Sequence, residues 1–105
     1  ELMYGTIFNL NVKSGHEDAL LEIMDGNAPK GGVAWLLMKP DDSKSDFIGV
    51  AVFESKEAHV ANAQSPEQNE TFNQLMEHLE SEPSWTDGEY IRGAFHWAYG
   101  HTYES

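Results

Sequence analysis

The chain has 105 residues, with 6 Lys and Arg against 18 Asp and Glu, five His and no Cys, giving a formal charge of −12 at pH 7. With Arg92 its one arginine, it has no basic stripe to neutralise phosphates or lipid head groups, so neither nucleic acid nor a membrane surface is an expected partner. The lack of Cys excludes a disulfide framework, a thiolate nucleophile and Cys-based zinc, and fits a reducing, cytoplasmic setting.

A hydrophobic share of 40% with 11% aromatics argues for a folded chain. One domain over residues 1–105 is expected, burying about 65% of the surface its unfolded form exposes. No signal peptide is read at its start, and the apolar runs 33–38 and 47–53 fall far short of the roughly 18 residues of a spanning helix.

Residues 4–12 (YGTIFNLNV) read as a first strand that stops at Lys13-Ser14-Gly15. Ser14 and Glu17 have capping-box spacing, and Ala19, Leu20, Ile23 and Met24 then line one face of a helix that Gly26 ends. The run 33–38 (VAWLLM) is a second strand and 47–53 (FIGVAVF) a third, joined by a polar connection too short for a crossover helix and so paired antiparallel. Both are apolar at odd and even positions, which demands burial on both faces.

Ser55 caps a short helix over 56–63. Ser65-Pro66 starts a longer one whose core stripe is Phe72, Leu75, Met76 and Leu79, with Glu77 and Glu80 outside. Glu82-Pro83 ends it, Asp87-Gly88 reads as a turn, and 89–99 as a fourth strand. The order is β-α-β-β-α-β, an α+β ferredoxin-like arrangement. Its two helices cover one face of the sheet, so the second covering layer is expected from another copy of the chain, in a homodimer.

The segment Phe53-Glu54-Ser55-Lys56-Glu57-Ala58-His59-Val60-Ala61-Asn62 with Ser65-Pro66-Glu67, together with 13–17 (KSGHE), resembles the antibiotic biosynthesis monooxygenase-like family. That resemblance implies ferredoxin-like subunits paired into a dimeric α+β barrel, with a ligand cavity between each sheet and its helices. It also implies candidate activities, among them oxygenation of quinols or anthrones without metal or flavin, and haem degradation. The departures from the family pattern are specific. Quinol-type members commonly have Trp at Phe53, His at Asn62 and His at Glu67. Haem-degrading members have Asn, Trp and His where this chain has Thr6, Phe53 and Phe72, which disfavours haem chemistry. Anthrone-type members have Asn at Gly49 and Arg at Phe72.

His59 and Asn62, three apart, share a helix face, which the resemblance turns toward the cavity. His59 is the candidate base and Asn62 the group that orients a substrate oxygen, against the plainer reading that both solvate the helix break. Phe53, Phe72 and Trp35 are candidate ligand-binding aromatics, with core packing as the competing reading. On the expected fourth strand Tyr90, Arg92 and His96 share a face suited to a carboxylate or enolate, or simply an edge-strand surface. His16, His59, His78, His96 and His101 match no ligand spacing, so neither metal nor cofactor is expected. Three functions remain open: a cofactor-independent monooxygenase on a quinol or aromatic polyketide-like substrate, a non-catalytic binder of a small apolar ligand such as a fatty acid or aromatic metabolite, and a purely structural or regulatory dimer.

Overall fold

The computed structural model describes residues 2–26, 29–42, 46–94 and 96. Its elements are β1 (Tyr4–Asn11), α1 (Glu17–Met24), β2 (Gly32–Met38), β3 (Asp46–Phe53), α2 (Lys56–Ala63), α3 (Pro66–Met76) and β4 (Ser84–Glu89). The sheet order is β2-β3-β1-β4 with every neighbouring pair antiparallel, the ferredoxin-like arrangement expected, with the second helix split in two.

Alternation along β1 assigns the faces. Thr6, Phe8, Leu10 and Val12 are buried, whereas Ile7, Asn9 and Asn11 are exposed. Register carries that division across the sheet: Phe8 pairs with Gly49 and Trp85, Leu10 with Phe47, and Thr6 with Ala51 and Asp87. The core lies on this side, where Phe8, Leu10, Val12, Leu20, Phe47, Leu75 and Leu79 form one cluster. A Cβ at Gly49 would lie 2.2 Å from the Phe8 ring, so glycine is required where Phe8 lies flat across β3.

Helix starts follow local chemistry. The Ser55 and Ser65 hydroxyls accept from the backbone N–H groups of Ala58 and Gln68, each at 3.1 Å, as the cap spacing requires. The expected capping box at Ser14 does not form: α1 begins after His16 without a side-chain cap, because Gly15 turns the chain at φ +83° between Ser14 and the helix. Ala19 is exposed, and Leu20 is the residue of α1 that is fully buried.

Helix α3 ends at Met76, earlier than its periodicity suggests. Leu79 is buried by bridging Val12 as extended chain. Leu75 is buried and Met76 half-buried, with Glu77 and Glu80 outside.

Two expectations are corrected. The fourth strand is Ser84–Glu89 rather than 89–99, because Pro83 releases the chain early and Trp85 pairs with Phe8 on the helix-facing side. Asp87-Gly88 lies inside this strand, with Gly88 opposite Gly5, and makes no turn. Residues 95 and 97–99 of the expected strand, and His101, fall outside the described residues. Strand β2 is an edge strand: Leu36, on the face expected to be covered by a second copy, is 65% exposed, and Trp35, on the helix-facing side, is 46% exposed.

Candidate functional site

Helix α2 crosses β1 and β3 above the Tyr4–Phe53 cross-strand pair, and His59 rests on both rings, 5.4 Å from Tyr4 and 5.3 Å from Phe53 between centroids. Asn62 follows one turn later on the same face. Beside them opens a cleft of about 270 Å³ lined by His59, Asn62, Ala63, Gln68, Asn69, Phe72, Trp85 and Asp87.

Each lining side chain has a local cause. The Ser65 cap and Pro66 start α3 at an angle to α2, which brings Gln68, Asn69 and Phe72 to the opening. Strand β4 supplies Trp85 and Asp87, which fall on one face because they are two residues apart. Trp85 contacts Phe8 at 5.4 Å and Phe72 at 6.4 Å, so three rings build an apolar floor from β1 to α3.

Above that floor stand three amides, an imidazole and a carboxylate. The arrangement can stack a planar ring, hydrogen-bond its oxygens through the amides, and exchange a proton at His59.

No family model matches the chain, and no curated protein matches it. Solved structures do. A protein from Nitrosomonas europaea, provisionally named an antibiotic biosynthesis monooxygenase, superposes with a TM-score of 0.73 at 15% identity, over 85% of this chain and 90% of its own. A similarly named protein from Chloroflexus aurantiacus gives 0.72 at 20% identity over 89% and 97%. Another from Caulobacter crescentus gives 0.75 at 11% over 88% and 92%. The chain has the fold of the antibiotic biosynthesis monooxygenases. The resemblance read from residues 13–17 and 53–67 is thus borne out at the level of the fold.

Within this monooxygenase fold the sequence-derived candidates divide. His59, Asn62 and Phe72 come together at the cleft. Phe53 is 5% exposed and serves as a floor under His59 rather than as lining. Trp35 sits on β2, at the edge of the sheet opposite β4.

Tyr90, Arg92 and His96 lie past the end of β4 and form no common face with the cleft. The Tyr90 hydroxyl donates to the carbonyls of Thr6 at 3.3 Å and Ala51 at 3.1 Å, and burial raises its pKa. Arg92 is exposed and donates to the Ile91 carbonyl at 2.9 Å; His96 is exposed. The physical reason is the early strand: once β4 is spent on 84–89, these residues have left the sheet.

Sequence reasoning missed Gln68, Asn69, Trp85 and Asp87. The alternation Trp85-Thr86-Asp87 directly after Pro83 was the available signal for the last two. The Asp-Gly pair masked it by reading as a turn.

Among the described residues no group of three or more His, Cys, Asp or Glu is placed to hold a metal ion, and no helix is long and apolar enough to cross a membrane.

Proposed function

We propose that this chain binds a small aromatic molecule in the cleft between α2, α3 and β4, and that it oxygenates an electron-rich substrate of quinol or anthrone type without a cofactor. The observation that carries the reading is the convergence of His59 and Asn62 with the Phe72 and Trp85 rings on one cleft. In such a reaction His59 takes the phenolic or benzylic proton, the amides hold the resulting oxyanion, and the substrate itself passes electrons to oxygen. For an anthrone, a ring CH₂ and O₂ then become a ring C=O and water; for a quinol, O₂ puts one oxygen on a ring C–H and the ring is oxidised to a hydroxyquinone, with the other oxygen leaving as water.

The second reading, a binding protein without turnover, is favoured by one observation. The Phe8 ring occupies the space a side chain at Gly49 would need, where anthrone-type members carry Asn, and no β3 residue lines the cleft among the described residues. The ligand suited to this cleft is an aromatic metabolite rather than a fatty acid, since Asp87 opposes an acidic head and no Lys or Arg lines the cleft among the described residues.

The chain further acts as one ferredoxin-like domain paired in a cytoplasmic homodimer. The support for the pairing is the apolar sheet face away from the helices, where Ile7, Leu36 and Met38 are 46%, 65% and 55% exposed.

Oxygen uptake with a panel of quinols and anthrones tests the enzyme reading. Turnover that is abolished by His59→Ala, with binding kept within a few-fold, and weakened in both respects by Asn62→Ala supports it. Binding of the panel without oxygen uptake by the wild type leaves the binding protein.

A further inference from the structure

The cleft has a charge asymmetry that its ring-binding floor does not require. Its lining contains one carboxylate, Asp87, and one imidazole, His59, but neither Lys nor Arg among the described residues. The nearby Lys56 places its ammonium over the Tyr4 ring, 5.8 Å from the centroid, and is no part of the lining. Asp87 is exposed and its carboxylate has no hydrogen-bond or ion-pair partner among the described residues. Asn62, Gln68 and Asn69 each offer both a donor and an acceptor, so they set no preference for the sign of a ligand's charge. That preference falls to Asp87, reinforced by the −12 net charge of the chain.

Geometry adds reach. Trp85 and Asp87 are two residues apart on β4, so the indole and the carboxylate rise from one face of one strand, about 7 Å apart along it. A planar ring lying against Trp85 and Phe72 would therefore carry a short substituent to the carboxylate. A substituent that meets a lone carboxylate favourably is a cationic hydrogen-bond donor.

We propose that the cleft takes a planar aromatic molecule bearing a protonated amine on a short arm, its ring against Trp85 and Phe72 and its ammonium against Asp87. This rests on the cleft being the binding site, and it names the class of ligand that site selects. Aromatic acids are selected against by the same carboxylate.

Three probes sharing one ring test it: tryptamine (cationic), tryptophol (neutral) and indole-3-acetate (anionic). Each is titrated calorimetrically into the full chain, while the Trp85 indole N–H resonance, identified by its loss in Trp85→Phe, is followed by NMR. Tryptamine is expected to bind at least about tenfold more tightly than indole-3-acetate, with tryptophol between them. Its advantage should shrink as ionic strength rises from about 0.05 to about 0.5 M. Asp87→Asn should weaken tryptamine about tenfold and leave tryptophol within about twofold. Because Asp87 is exposed, a thermal melt of that variant close to the wild type shows that the fold is kept.

If tryptophol moves the Trp85 resonance but tryptamine holds no advantage, or keeps its affinity in Asp87→Asn, the amine inference is overturned and the cleft reading stands. If none of the three probes binds or shifts Trp85, both fall together.

Discussion

At the scale of single residues the molecule separates groups that hold the sheet from groups that face the cleft, and Tyr90 belongs to the first kind. Its hydroxyl donates to carbonyls on two different strands, and its ring lies 3.1 Å from where a Cβ at Gly5 would sit. That Cβ would also lie 1.9 Å from the Ala51 carbonyl oxygen, so Gly5→Ala should destabilise the sheet where β1, β3 and the chain after β4 meet. Burial raises the Tyr90 pKa above its ordinary value of 10.0, since the phenolate would lose hydration. A raised folded-state pKa gives stability that is fully present below about pH 10 and is lost as pH climbs through the folded value. Alkaline unfolding followed by circular dichroism should therefore begin above pH 10. Tyr90→Phe should remove that part of the pH dependence, while costing about 0.5–1.5 kcal/mol at neutral pH for the lost hydrogen bonding. A variant with an unchanged alkaline limb would show that other groups set it. In the sequence Tyr90 looked like a ligand contact because it was placed inside a strand with Arg92 and His96. Nothing in its own chemistry distinguishes a hydroxyl that meets a substrate from one that ties two strands.

At the scale of elements, the Ser55 and Ser65 caps and most of the hydrophobic periods were legible, because both rest on contacts a few residues apart; the Ser14 box was not, because Gly15 turns the chain at φ +83° before α1. Ser55 and Ser65 cap as their spacing implies, and α2 runs over the residues expected. Two further features were not legible, and both depend on long-range partners. The fourth strand starts at Ser84 because Trp85 can pair with Phe8, a contact 77 residues away in sequence, and this outweighs the turn preference of Asp87-Gly88. Helix α3 gives up its last turn because Leu79 gains a bridge to Val12. This second junction also brings His16 and His78 together, Nδ1 to Nδ1 at 2.9 Å with ring centroids 5.2 Å apart. One ring must carry its proton on Nδ1 and the other accept it, so the pair shares a single proton between the start of α1 and the end of α3. A double-mutant cycle of His16→Ala and His78→Ala should return a coupling of about 0.5–1.5 kcal/mol in denaturant unfolding; additive losses would mean that the rings merely touch. Beneath that junction Leu75 is 9% exposed, and Leu75→Ala should cost about 2–5 kcal/mol as core truncations do.

At the scale of the whole molecule two forces act on the sheet face turned away from the helices. Leu36, Met38 and Ile7 stand exposed there beside Ile48, Val50 and Val52, so water contact across this face is costly and a second copy would relieve it. Against association stands a charge of −12 on each copy. The face itself carries little of that charge: the side chains that β1, β2 and the central part of β3 direct toward it are apolar or amide, and of the acidic residues in these three strands only Asp46, at the end of β3, falls on the same side. Repulsion between copies is therefore diffuse and long-ranged, whereas the attraction is local and apolar. Salt separates the two, because it screens the first within a Debye length of about 8 Å at physiological ionic strength and leaves the second intact. Raising salt from about 0.05 to about 0.5 M should strengthen the proposed dimer in sedimentation and raise the melting temperature with it. Leu36→Lys should shift the mass to one protomer without altering the helix-side core, since Leu36 lies on the face opposite that core. A wild type that sediments as one protomer throughout that salt range, or a Leu36→Lys chain that stays dimeric, would remove this face as the interface.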